Sequence, residues 1–109
     1  MKIFVLVFFL HCNFYAIAQQ KKLDSLVALN NNYQKQDSQK VIYLTNIFRQ
    51  YARLNNLPKM EEYANMAITL SKKIASTKSA SYVYERLGLC YHGKAMYPQA
   101  INAYTGGIE

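Results

Sequence analysis

Residues 81–109 read SYVYERLGLCYHGKAMYPQAINAYTGGIE. Tyr84, Leu87 and Tyr91 recur at spacings of three and four, so they share one face of a helix. A break follows at Gly93. Pro98 then suits the first turn of a second helix, where a missing N–H costs nothing. Ala100 and Tyr104 lie on one face of that helix. Gly88 and Ala100 stand small among large neighbours, as a close crossing of two helices requires.

A fixed offset of forty residues links this stretch to the one before it. Leu44 falls on Tyr84, Ile47 on Leu87 and Tyr51 on Tyr91. Leu57 falls on Tyr97, Pro58 on Pro98 and Met60 on Ala100. Ala64 falls on Tyr104 and Ala67 on Gly107. Apolar positions land on apolar or small ones, and a proline lands on a proline.

The later unit resembles the tetratricopeptide repeat. Tyr84, Leu87, Gly88, Tyr91, Tyr97, Ala100 and Tyr104 carry the resemblance, with Gly107 where a small residue is usual. The unit spans residues 81–109 and stops inside its second helix. The earlier unit, residues 41–74, is degenerate: Phe48 stands at the glycine position and Met60 at the alanine position. The resemblance implies an all-α fold of antiparallel helix-turn-helix repeats, a short and incomplete α-solenoid. Such arrays bury their core between neighbours and are usually built from at least three repeats. The expectation is therefore a truncated reading frame, or a chain completed by a partner.

The helices can be placed coarsely. A leading helix with Leu23, Leu26, Val27 and Leu29 is expected to fade through the polar run Asn30 to Gln36, making residues 19–40 a helix and linker. Asp37 or Ser38 can cap the next helix. That helix should run to about Leu54, with Asn55-Asn56 as the turn. Glu61-Glu62 are expected in the first turn of the helix opened by Pro58, and Lys72-Lys73 in its last, matching the helix dipole. Ala75 to Ser79 reads as a linker. With longer helices, it would explain a period above the usual length of about 34 residues. The last pair is expected from about Ala80 to His92 and from Pro98 to Tyr104, turning at Gly93.

The first 18 residues have a different character. Lys2 is followed by an unbroken apolar run from Ile3 to Leu10, and then by Ala16-Ile17-Ala18. Charge, apolar core and small residues in that order predict a secretory signal peptide cut after Ala18. The run is too short to span a bilayer, and His11 ahead of Cys12 disfavours lipidation there. The expected location is the periplasm or cell envelope of a bacterium. Cleavage would leave Cys90 as a lone thiol, read as a small residue buried in a helix.

Lysine and arginine number 13 against 6 acidic residues, a net charge of +7. The cations are scattered rather than gathered into a stripe, so nucleic acid is not the expected ligand. No cofactor, metal set or catalytic motif is expected. His92 has no second ligand at suitable spacing, and Gly106-Gly107 lacks the lysine of a phosphate loop. The reading is a binding protein and not an enzyme.

In repeats of this kind the first helix of each pair lines a groove. Carried onto this chain, that face offers Ile42, Thr45, Arg49 and Arg53, then Tyr82, Glu85, Arg86 and His92. A protein or peptide partner is expected there. Exported domains opening with a helix like Leu23-Asp24-Ser25-Leu26 resemble the front ends of envelope sensors, ahead of a histidine kinase or DNA-binding output. The second expectation is a small secreted subunit that self-associates or completes its fold in an assembly.

Overall fold

A computed structural model describes residues 2–107, with side chains described from Asn13 onward. The apolar run Ile3 to Leu10 and Cys12 lie outside the described side chains, and Ile108 and Glu109 outside the described residues. The fold is an all-α helical repeat. Among the described residues five helices follow one another: α1 (Lys2–Asn32), α2 (Ser38–Arg53), α3 (Leu57–Lys73), α4 (Thr77–Gly93) and α5 (Tyr97–Gly106). No described helix is long and apolar enough to cross a membrane.

Each helix packs on the next, and the short turns make neighbours antiparallel. α2 also touches α4, whereas α3 and α5 do not touch. The stack therefore bends with α2 and α4 on its inner side. Its thinnest dimension, 18 Å, is that of two helix layers.

The core lies between these layers. Val41, Leu44 and Phe48 meet Met60, Ala64, Ala67 and Leu70, and the cluster continues through Val83, Leu87, Tyr91, Ala100 and Ala103. Phe48 is fully buried at the position where the later unit has Gly88. A Cβ on Gly88 would meet the ring of Tyr104, whereas the earlier unit has Ala64 in place of Tyr104. The large and small partners have changed sides, which keeps the helices close in both pairs. Tyr84 uses glycines in the same way, packing on Gly106 and Gly107 at the end of α5.

Three turns share one backbone design. Asn55, Ala75 and Ala95 have φ of 58°, 54° and 57°, in the left-handed region. The next amide reaches back in each: Asn56 to the Tyr51 carbonyl, Ser76 to Ser71 and Met96 to Tyr91. This is the Schellman ending of a helix. The following residue caps the next helix: the Asn56 side chain accepts from the Lys59 amide and Ser76 from Ser79, while Met96 gives no side-chain bond. The turns recur every twenty residues, so the offset of forty is two helix-and-turn steps.

This cadence corrects three expectations. Ala75 to Ser79 is not a linker, because the turn is confined to Ile74–Ser76 and α4 starts at Thr77. Longer helices alone account for the long period. Gly93 does not make the last turn; it is the final residue of α4, and Ala95 takes the left-handed position. Glu61 and Glu62 fall beyond the first turn, because α3 begins at Leu57 and Pro58 follows it. Glu61 instead accepts a hydrogen bond of 2.8 Å from the Tyr91 hydroxyl, and Glu62 pairs with Lys59 at 3.1 Å. Lys72 and Lys73 do sit in the last turn of α3.

The leading helix is longer than Leu23 to Leu29 and continues to Asn32. α2 packs on it, and Tyr43 meets the ring of Tyr33, just beyond its end, edge-on at 5.1 Å. Gln50 is fully buried, and its amide donates to both the backbone carbonyl and the side chain of Gln19, at 3.0 and 2.6 Å. The Lys40 ammonium donates to the carbonyls of Asn30 and Tyr33, at 2.6 and 2.9 Å. It thereby closes the carbonyl end of α1, where a cation is also favoured by the dipole. Asp37 caps α2 by accepting from the Lys40 amide, and it accepts from the Tyr33 hydroxyl at 2.7 Å. That hydroxyl holds the Asp37 carboxyl below its ordinary range, against the opposing effect of burial.

Candidate functional site

The inner face of the stack is built by α2 and α4, two helices running in the same direction. Residues at spacings of three and four line it: Ile42, Thr45, Arg49 and Arg53 on α2, and Tyr82, Arg86 and Leu89 on α4. Thr45 is fully buried, with its hydroxyl donating to the Val41 carbonyl at 2.8 Å. It is therefore enclosed and not available to a ligand, contrary to expectation. On either side of it the face opens into a hollow.

The first hollow lies toward the C-terminal ends of the two helices and measures about 370 Å³. Its cationic lining residues are Arg49, Arg53, Arg86 and Lys94, and Ala52, Leu89 and Cys90 supply apolar lining. Among the described residues no carboxylate lines it. Arg53 donates to the Gln50 side chain at 3.2 Å and Lys94 to Asn55 at 2.8 Å, both neutral acceptors. Arg86 stacks over the Tyr82 ring at 4.6 Å and meets the Glu85 carboxylate at 2.9 Å. Burial pushes the Cys90 thiol up, while Arg49, Arg53 and Lys94 pull it the other way. Cys90 is half-buried, less enclosed than the sequence suggests.

The second hollow, of about 280 Å³, lies toward the N-terminal ends. Val41, Ile42, Lys78 and Tyr82 line it together with Ser38, Ser76 and Ser79. Tyr82 thus stands between the two hollows, half-buried and overlaid by Arg86.

Of the eight expected groove residues, Arg49, Arg53 and Arg86 come together, with Tyr82 beside them and Ile42 in the second hollow. Glu85 stands at the rim, exposed and attached to Arg86. His92 turns away and meets the Tyr97 ring edge-on at 5.7 Å, because its helical position faces α5. Tyr97 is itself 56% exposed, unlike its counterpart Leu57, which packs against the core. Leu87, Gly88, Tyr91 and Ala100 are buried as a helix crossing needs, and Tyr84 and Tyr104 are half-buried against glycines.

Two lining residues, Asn55 and Lys94, escape a search along helix faces because they belong to turns. Both follow the C-terminal ends of helices that run side by side, and that topology is the signal that places them together. Among the described residues no cluster of three His, Cys, Asp or Glu side chains could hold a metal ion. No family model, curated protein or solved structure matches the chain.

Proposed function

We propose that this chain is a protein-binding module of an exported tetratricopeptide-type protein. The observation that carries the reading is the inner face of α2 and α4. It is concave, open in two hollows, and furnished with arginines and a tyrosine, residue types enriched where proteins bind one another. The family assignment is supported by Gly88 under Tyr104 and by the buried Leu87, Tyr91 and Ala100. The exported character is supported by Lys2, the run Ile3 to Leu10 and Ala16-Ile17-Ala18. On this reading the module sits in the periplasm or envelope and serves as the sensing end of a signalling protein.

The test has two arms. A photo-crosslinker at position 53, on the inner face, should yield discrete adducts in the native cell, whereas one at position 72, on the outer layer, should not. Equal labelling from both positions removes the groove reading. Sequencing the N-terminus of the cellular protein should start at Gln19; an intact leader in the cytosol removes the exported one.

A second reading, a structural subunit completed by self-assembly, is favoured by one observation. Ile101 on α5 is 65% exposed, and Tyr97 stands beside it on the same face. A folded monomer across the micromolar range in sedimentation would eliminate it.

A further inference from the structure

We propose that the hollow between α2 and α4 receives the carboxylates of an acidic peptide segment from a partner protein, a step that rests on the protein-binding reading above. Arg49, Arg53, Arg86 and Lys94 converge on one concave space of about 370 Å³. Like charges held around a cleft with low-dielectric walls focus their field into it. Among the described residues, Glu85 is the one carboxylate in contact with any of the four, and its side chain is 61% exposed at the rim. The hydrogen-bond acceptors of Arg53 and Lys94 are neutral, so their charges stay uncompensated. An arriving carboxylate relieves this repulsion and accepts paired N–H bonds from a guanidinium.

The form of the space selects among anionic partners. Ala52, Leu89 and Cys90 give the hollow an apolar part, and Leu89 is half exposed, so an apolar side chain next to the acid gains from burial. A cleft between two helices admits side chains better than it admits the flat surface of a bilayer. A nucleic acid would draw on a continuous stripe of cations, whereas Lys59, Lys72 and Lys73 lie on α3, in the other layer. A second copy of a chain with net charge +7 meets repulsion overall. An extended segment mixing acidic and apolar residues satisfies both parts of the hollow.

The test uses the full chain and a fluorescein-labelled decapeptide alternating Glu and Leu, with a Gln-for-Glu version beside it. Anisotropy should show the Glu peptide binding, more weakly as salt rises, and the Gln peptide bound at least about tenfold more weakly. Arg49→Gln with Arg86→Gln should weaken the Glu peptide by about tenfold or more. Lys72→Gln with Lys73→Gln, which removes equal charge from α3, should change it by less than about threefold. The arginines are half-buried and partly solvated, and circular dichroism of each variant verifies the fold. Equal losses in the two double variants overturn the proposal, because net charge then explains the binding. Equal affinity for the Gln peptide also overturns it, as does capture by phosphatidylserine vesicles without peptide binding. A neutral or basic peptide, selected by display, that protects the α2 and α4 amides from exchange overturns the acidic ligand and leaves the protein-binding reading standing. Failure of every displayed peptide to protect those amides overturns both.

Discussion

The ring of Tyr104 occupies the space that a side chain on Gly88 would take. A Cβ there would stand 2.5 Å from Cδ1 and 2.8 Å from Cζ of that ring. The earlier pair of helices has Phe48 at the equivalent of Gly88 and Ala64 at the equivalent of Tyr104. The two pairs divide the same space in opposite ways. Gly88→Ala should therefore destabilise the chain by about 1–2 kcal/mol, since overpacking outweighs the gain in helix propensity. In a Tyr104→Ala background the same substitution should stabilise, by about 0.5–1 kcal/mol. Urea denaturation of the four proteins of this cycle measures the reversal; an unchanged sign would show that the ring does not set the crossing.

Ala95 adopts a left-handed backbone with a Cβ, which costs about 1 kcal/mol relative to glycine, partly offset by the greater freedom of glycine when unfolded. Two residues earlier, Gly93 is helical, and a Cβ there would meet nothing within 4 Å. Exchanging them, Gly93→Ala with Ala95→Gly, should raise stability by roughly 1 kcal/mol without altering composition. A thermal melt that shifts downward would contradict the turn assignment.

Burial, then the hydrogen bond to Glu61, pushes the Tyr91 hydroxyl up to about 12 from an ordinary value of 10.0. Tyr33 is also pushed up to about 12, chiefly by its bond to Asp37. The unfolded chain thus releases these protons at lower pH than the folded one. Their contribution to stability is whole below about 10 and is lost as pH rises toward 12. Urea midpoints at pH 8, 10 and 11 should fall above 10, and Tyr91→Phe should flatten the fall. An identical fall in the variant would assign the effect elsewhere.

Gln50 joins α1 to the rest of the chain through Gln19. Gln50→Ala should cost about 1–3 kcal/mol at this seam. Hydrogen exchange should quicken in residues 19–32 and stay unchanged in α4 and α5, since α1 packs on α2. Uniform quickening through the chain would show that α1 is not a separable layer.

Much of this was legible beforehand, for definable reasons. Tyr84, Leu87 and Tyr91 mark a helix face by spacing, and Pro58 and Pro98 mark helix starts because they need no amide partner. The turn at Ala95 was not legible, since glycine is the usual signal and stands at Gly93. The core instead fixes helix length, and the left-handed residue falls where the length ends. Arg49, Arg53 and Arg86 were legible as one face through the resemblance to a repeat whose first helices line a groove. The burial of Thr45 was not, because it depends on tertiary packing that the spacing along one helix does not reveal. Phe48 at the glycine position marks the earlier unit as degenerate in sequence, while in the core Ala64 at the position of Tyr104 makes room for it.

The even cadence of the three left-handed turns has a consequence for how such a chain can change length. Adding or removing one step of twenty residues reverses the direction of every helix downstream and exchanges inner for outer faces. Only an even number of steps restores both. The arrangement therefore obeys a parity rule: indels of forty preserve the inner face, indels of twenty invert it, and the hollow that gathers Arg49, Arg53, Arg86 and Lys94 exists only because α2 and α4 are two steps apart.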